Sequence, residues 1–186
     1  MTIEHPGKVD HAPGQARDRA AIMNLLAAYA HLANTGDIDG WADCFDADAT
    51  YCISAPGAPG EPIPKARFVA AEEPQFAAYR RMLADPSSGE RKIYCIVNPW
   101  IMRVEHRRAE VTAELIQLRA GVDADVAPHI QLTGTYTGEL VRRKDVWRIL
   151  RWEIRTTRQP ASVSEVPALW WLNVQSSPDG DWRPRA

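Results

Sequence analysis

Two stretches constrain the fold more than anything else in the chain: an alanine-rich run near the start, ARDRAAIMNLLAAYAHLANTGD, and a late pair of alternating runs, HIQLTGTYTGELV and VWRILRWEIRTTR. In the first, Ile22, Leu25, Leu26, Tyr29 and Ala33 recur at helical spacing and form one apolar face, so a helix from around Arg17 needs a flat partner. Thr35-Gly36 stops it, because glycine tolerates the left-handed backbone that ends helices. The late runs alternate with period two about Arg-Arg-Lys-Asp and read as a hairpin. A long amphipathic helix laid on a curved antiparallel sheet makes a half-closed cone, an α+β architecture with room for a small apolar ligand.

The segments between agree with that plan. Asp37 is placed to cap a second short helix carrying Trp41 and Phe45, and ADATYCIS follows as a first strand. APGAPGEPIPK is too rich in proline and glycine for regular structure and reads as a lid, a rim or an insertion. Residues 72–84 read as a helix stopped by Asp85-Pro86. In RKIYCIVNPWIMRVE, alternation puts Tyr94, Ile96, Asn98, Trp100 and Met102 on one face, and Pro99 marks a bulge or a sheet edge. HRR makes a turn, AEVTAELIQLRAGV is a further long strand, and DADVAP is a loop. Residues 1–16 form an arm, 17–158 the domain, and 159–186 a tail. The tail's Leu169-Trp170-Trp171-Leu172 cluster is expected to strap its own domain or a neighbouring subunit.

Length and composition narrow the function classes. With 186 residues, 45% hydrophobic and 25% charged, the chain is one ordinary globular domain. A net charge of −2 supplies no basic footprint for nucleic acid or an anionic membrane, so neither is an expected partner. Cys44, Cys52 and Cys95 match no zinc or redox spacing and read as free thiols of a reducing cytosol. The opening residues lack the apolar core of a secretory signal, and no apolar run is long enough to span a bilayer, so a cytoplasmic location is expected. No His-x-x-x-His, cysteine pair or Gly-rich phosphate loop is present, so neither metal nor cofactor is expected.

The first helix ends in a Tyr-x7-Asp motif, Tyr29 to Asp37, and is followed by Phe45, Asp48 and Ala49; a late Gly134-x-Tyr136 is followed by Trp147-Arg148-Ile149. On these residues the chain, over about 17–158, resembles the SnoaL-like branch of the nuclear transport factor 2-like proteins, whose fold is the helix-wrapped cone. The branch holds scytalone dehydratase, hexachlorocyclohexane dehydrochlorinase, ketosteroid isomerase, polyketide cyclases and dioxygenase β subunits. The resemblance implies an Asp–His general-base dyad at two positions, which here carry Asn34 and Tyr94, while the accompanying asparagine survives as Asn98. Asparagine takes no proton, and an ordinary tyrosine titrates near pH ~10. The dehydratase mechanism therefore does not transfer. The isomerase's oxyanion-binding tyrosine falls on Tyr29, but its catalytic aspartate falls near Ile53, which is no base.

Helix and strand phases send Tyr29, Asn34, Tyr51, Tyr94 and Asn98 into the hollow, with Trp41, Trp100 and Trp152 around them. Converging phenol and amide donors in an apolar site suit a developing oxyanion. Each alone also reads as a satisfied core polar group. His129 shares a phase with Gln131 and Thr133 and either shuttles protons in the hollow or sits at its rim. Arg155, on a face with Arg151, Glu153 and Trp147, either binds a substrate oxygen or joins a solvated or subunit-facing ladder. The expectation is a cofactor-independent lyase or isomerase for a small aromatic, phenolic or polyketide-like substrate, working by elimination, proton shift or retro-aldol cleavage. Its catalytic residues would be Tyr94, Asn98, Asn34, Tyr29 and His129, and its substrate contacts Tyr51, Trp41, Trp100, Trp152 and Arg155. The expected assembly is a homo-oligomer, a trimer or dimer. The competing expectation is a non-catalytic β subunit of a ring-hydroxylating dioxygenase, or a ligand-binding protein.

Overall fold

The structure, a computed structural model, describes residues 13–72, 77, 80, 91–120 and 129–157. The helix expected over 72–84 falls largely outside the described residues, and the arm before residue 13, the DADVAP loop and the tryptophan-bearing tail fall wholly outside them.

Helix α1 runs Pro13–Thr35 and begins at proline, whose missing N–H costs nothing in a first turn. It ends where Gly36 adopts a φ of 78° and its N–H returns to the Ala33 carbonyl. Helix α2 (Ile38–Asp43) starts with the Asp37 carboxylate accepting from the Gly40 N–H at 2.9 Å. Strand β1 (Phe45–Ser54) follows at once. The segment expected to be irregular is in part ordered. Ile63–Pro64 pair with Tyr51 and Thr50 as the two-residue strand β2, and Lys65–Val69 form the short helix α3, which buries Phe68. β2 is the last strand of the sheet, where a proline deprives no neighbour of a donor.

Strands β3 (Arg91–Glu105), β4 (Arg108–Ala120), β5 (His129–Arg143) and β6 (Val146–Thr156) complete a six-stranded sheet in the order β2-β1-β6-β5-β4-β3. All neighbours are antiparallel except β1 and β6, which run parallel. The two ends do not meet, so the sheet is an open cone with β3 on one free edge. α1 lies across the concave side, touching β3 and β6, and buries Ile22, Leu26, Tyr29 and Ala33 there.

Ion pairs fasten one end of this cone. Asp18 of α1 accepts from the Trp147 indole N–H at 2.9 Å and from Arg142 at 2.7 Å. Asp46 accepts from Arg143 through both carboxylate oxygens, at 2.7 and 2.9 Å, and is 2% exposed. Those hydrogen bonds outweigh burial and hold its carboxyl below the usual range.

Bulges decide which side chains face inward. On β3, Val97 stands opposite Glu114 and Trp100 opposite Thr112, so Asn98 and Pro99 together oppose the single residue Ala113. On β5, Gln117 pairs with Leu132 and Leu118 with Ile130, leaving Gln131 as the extra residue. On β6, Leu150 is extra between Ile149 and Arg151. Each insertion turns the following residues over to the opposite face.

Candidate functional site

The middle of the concave side is filled by aromatic residues from five elements. Tyr29 comes from α1, Trp41 from α2, Phe45 and Tyr51 from β1, Tyr136 from β5 and Trp152 from β6, and all six are buried. Gly138 makes room for this cluster. A methyl group there would stand 2.4 Å from the Trp152 ring, so only glycine lets that indole lie flat against β5. Trp152 stacks on Tyr136 with centroids 5.1 Å apart and planes 27° from parallel, and Tyr29 meets Trp152 at 5.3 Å.

The polar tips of these rings converge. The Tyr29 and Tyr51 hydroxyls lie 3.3 Å apart. The Tyr136 hydroxyl and the Trp152 indole N–H are buried and have no hydrogen-bond partner among the described residues. Trp152 is near enough to Tyr29 to affect its acidity, and Tyr29 near enough to Tyr136 to affect that of Tyr136, yet neither donor meets an oxygen at hydrogen-bonding geometry. Tyr94, half-buried on the concave face of β3, is near enough to influence Tyr29, Tyr51 and Tyr136.

Burial pushes Tyr29 and Tyr94 up to about 12, and it drives Tyr51 and Tyr136 well above the ordinary phenol value. At neutral pH all four are protonated hydroxyls. They donate hydrogen bonds and do not act as bases. Tyr136, absent from the expected site, is central to it. Its signal was the alternation Gly134-x-Tyr136-x-Gly138, in which a large ring stands between two residues that leave space.

Tyr29, Tyr51, Tyr94, Trp41 and Trp152 are thus brought together as expected. Other expected members are placed elsewhere. The Asn34 amide donates to the Tyr94 carbonyl at 2.8 Å and accepts from the Tyr94 N–H at 2.7 Å, so it acts as a short artificial strand on the β3 edge. Both its amide oxygen and its amide nitrogen are engaged with the Tyr94 backbone. Asn98, at a φ of 50°, is exposed at the bulge and not in the hollow. The same bulge turns Trp100 to the convex face beside Thr112. Arg155 is also convex, bonded to Glu153 at 2.7 Å, because the Leu150 bulge separates the face of Arg151, Glu153 and Arg155 from that of buried Trp147.

His129 moves the other way. It pairs with Arg119, which shares the concave face with Gln117, so the Gln131 bulge carries the imidazole inward, off the phase of Thr133. Gln117, 7% exposed and opposite Tyr94, is a buried polar residue that alternation alone did not single out. Among the described residues no three His, Cys, Asp or Glu side chains are grouped to hold a metal ion. No described helix is long and apolar enough to cross a membrane.

Comparison with known proteins places this geometry. The β subunit of benzoate 1,2-dioxygenase from Burkholderia mallei is similar in structure at a TM-score of 0.57 and 16% identity, covering 80% of this chain and 91% of that one. A protein from Novosphingobium aromaticivorans named after scytalone dehydratase matches at a TM-score of 0.56 and 19% identity, over 80% and 89%. From the same organism, an NTF2-like protein with a cystatin-like fold matches at 0.56 and 20% identity, over 85% and 96%. At such identities the likeness establishes the shared cone. No curated protein matches the sequence. The model of the SnoaL-like domain matches residues 14–153, a span from the first turn of α1 to the middle of β6, and the chain therefore belongs to the SnoaL-like family of NTF2-like cones.

Proposed function

We propose that the cone binds a small oxygenated aromatic or polyketide-like molecule and acts as a cofactor-independent lyase or isomerase by stabilising negative charge on a substrate oxygen. The observation that carries this reading is the pair of buried donors without an acceptor among the described residues, the Tyr136 hydroxyl and the Trp152 N–H, beside the Tyr29–Tyr51 hydroxyl pair. An unsatisfied buried donor costs about 1–3 kcal/mol, a cost that a ligand oxygen removes. Such donors gain most when the oxygen becomes an enolate or phenolate, which makes elimination, proton shift and retro-aldol cleavage the fitting reactions. Tyr94, the half-buried phenol, would donate to the leaving or developing oxyanion. His129, on the same face and one rung along, is the candidate to receive a proton. A homo-oligomer is the proposed assembly.

The test is a screen of phenolic and β-hydroxycarbonyl compounds by native mass spectrometry and turnover, followed by Tyr94→Phe and Tyr136→Phe. Loss of one such donor should lower kcat by roughly 100-fold. Turnover unchanged in both variants would remove the phenols from the mechanism.

A second reading is supported by the use of Asn34, at a position where the resemblance implied the aspartate of a general-base dyad, as a backbone clip. On that reading the cone is a non-catalytic subunit like the similar dioxygenase β subunit. It would then co-purify with a larger iron–sulfur partner, whereas a free-standing enzyme purifies as a homo-oligomer.

A further inference from the structure

The convex face of the sheet is divided in two. Toward the β5–β6 turn a charged row crosses four strands, with Arg103 opposite Glu110, Glu110 opposite Glu139 and Glu139 opposite Arg151. At the other end the same face is apolar. Ile93 and Cys95 of β3 stand opposite Leu118 and Ile116 of β4, and Leu118 stands opposite Ile130 of β5. Their outward direction follows from alternation, because Tyr94 and Gln117, the residues between them on each strand, form an inward pair. Ile130 is 44% exposed and the other four are half-buried. None of the five belongs to the core or to the residues packed against it. An apolar patch rimmed by charge on an otherwise polar face marks a contact site.

The chain leaves the sheet beside this patch. Thr157, the residue after β6, donates its N–H to the Thr133 carbonyl at 2.8 Å, and Thr133 stands opposite Ile116. Residues 158–186 follow, outside the described residues, and carry the apolar run Leu169-Trp170-Trp171-Leu172. A flexible linker of about a dozen residues spans on the order of 20 Å, more than the roughly 10 Å across three strands. Such a tether supplies an effective concentration of order millimolar, which a second copy of the chain does not reach in dilute solution.

We propose that the Leu169–Leu172 cluster docks on the convex patch of its own chain and straps the outside of the cone. The patch lies on the face opposite the phenols, so this docking is independent of what the hollow binds.

The experiment replaces the exposed Ile130 of the full chain with the photo-crosslinking residue p-benzoylphenylalanine and reads the irradiated products by mass and peptide mapping. The expected product has the mass of one chain, joins position 130 to residues 169–172, and forms in a yield independent of protein concentration. A product of twice that mass, a bridge to any other segment, or no bridge at all would overturn the proposal. Cys95 gives a second measurement on the natural patch, since it is a free thiol within it. Its alkylation should be about ten-fold faster in the double variant Trp170→Ser, Trp171→Ser than in the unaltered chain, while that of buried Cys44 is unchanged. Equal Cys95 rates in the two chains would show the patch to be bare. An equal rise at Cys44 would show the cluster holding the whole fold rather than this patch, and either result overturns the proposal.

Discussion

Tyr136 carries a hydroxyl into the middle of the protein where no described residue accepts its proton, while Asp46, buried as deeply, has every oxygen engaged by Arg143 or by the backbone. The contrast separates a group kept for stability from one kept at stability's expense. Asp46→Asn should cost about 1.5–3 kcal/mol in chemical denaturation, the usual worth of a hydrogen bond to a charged group. Because its carboxyl is held below the unfolded value, the stabilisation is present above about pH 4 and disappears as pH falls through the folded value. Acid unfolding of Asp46→Asn should therefore be less pH-dependent below about pH 4 than that of the unaltered chain. The tyrosines work in the opposite window. Their raised values add a stabilising contribution that is complete below the unfolded value near pH ~10 and is lost as pH rises through about 12 for Tyr29 and Tyr94. Ultraviolet titration should show these phenols ionising only together with alkaline unfolding; a tyrosinate signal from more than one of the chain's five tyrosines in the still-folded state near pH ~10 would contradict the burial that defines the site.

Among the elements, the edge strand β3 is hydrogen-bonded to α1 at two points, by Asn34 at Tyr94 and by Arg19, which donates to the Ile101 carbonyl at 3.1 Å. Asn34→Ala should unpair the N–H and C=O of Tyr94 and cost about 1–3 kcal/mol, with faster amide exchange concentrated in the first half of β3. Exchange rising evenly over the sheet would mean that the clip is not local. Gly138→Ala should overpack the β5–β6 interface by about 1–3 kcal/mol and shift the emission of Trp152. Helix α1, its glycine stop, the Asp37 cap and the β5–β6 hairpin were legible because each is written in local periodicity or capping chemistry. The inward set was only half legible, because period-two alternation assumes an unbroken strand. Pro99 announced an irregularity in β3 but not that it would insert a single extra residue, and that change of parity sent Trp100 outward. Nothing local marks Gln131 or Leu150 as the extra residue, since a bulge there answers to the register of the neighbouring strand. Asn34 showed no edge-capping role in sequence, because its partner stands 60 residues away.

Taken whole, the described residues form an open cone fastened at one end by arginine–carboxylate pairs and lined at its middle by phenols. Its middle is packed with buried rings, and the hydroxyl tips of Tyr29 and Tyr51 converge there. Only the orphaned donors distinguish a ligand site from an aromatic core. The measurement that bears on this most directly is the melting temperature and phenolic-ligand affinity of Tyr136→Phe. If the hydroxyl waits for a ligand oxygen, its removal should leave the fold as stable or stabilise it by about 1 kcal/mol, and weaken binding of phenolic ligands about ten-fold or more. A variant that is 1 kcal/mol or more less stable and binds as well as before would show the hydroxyl to be a structural hydrogen bond, and the cone's centre to be core rather than site.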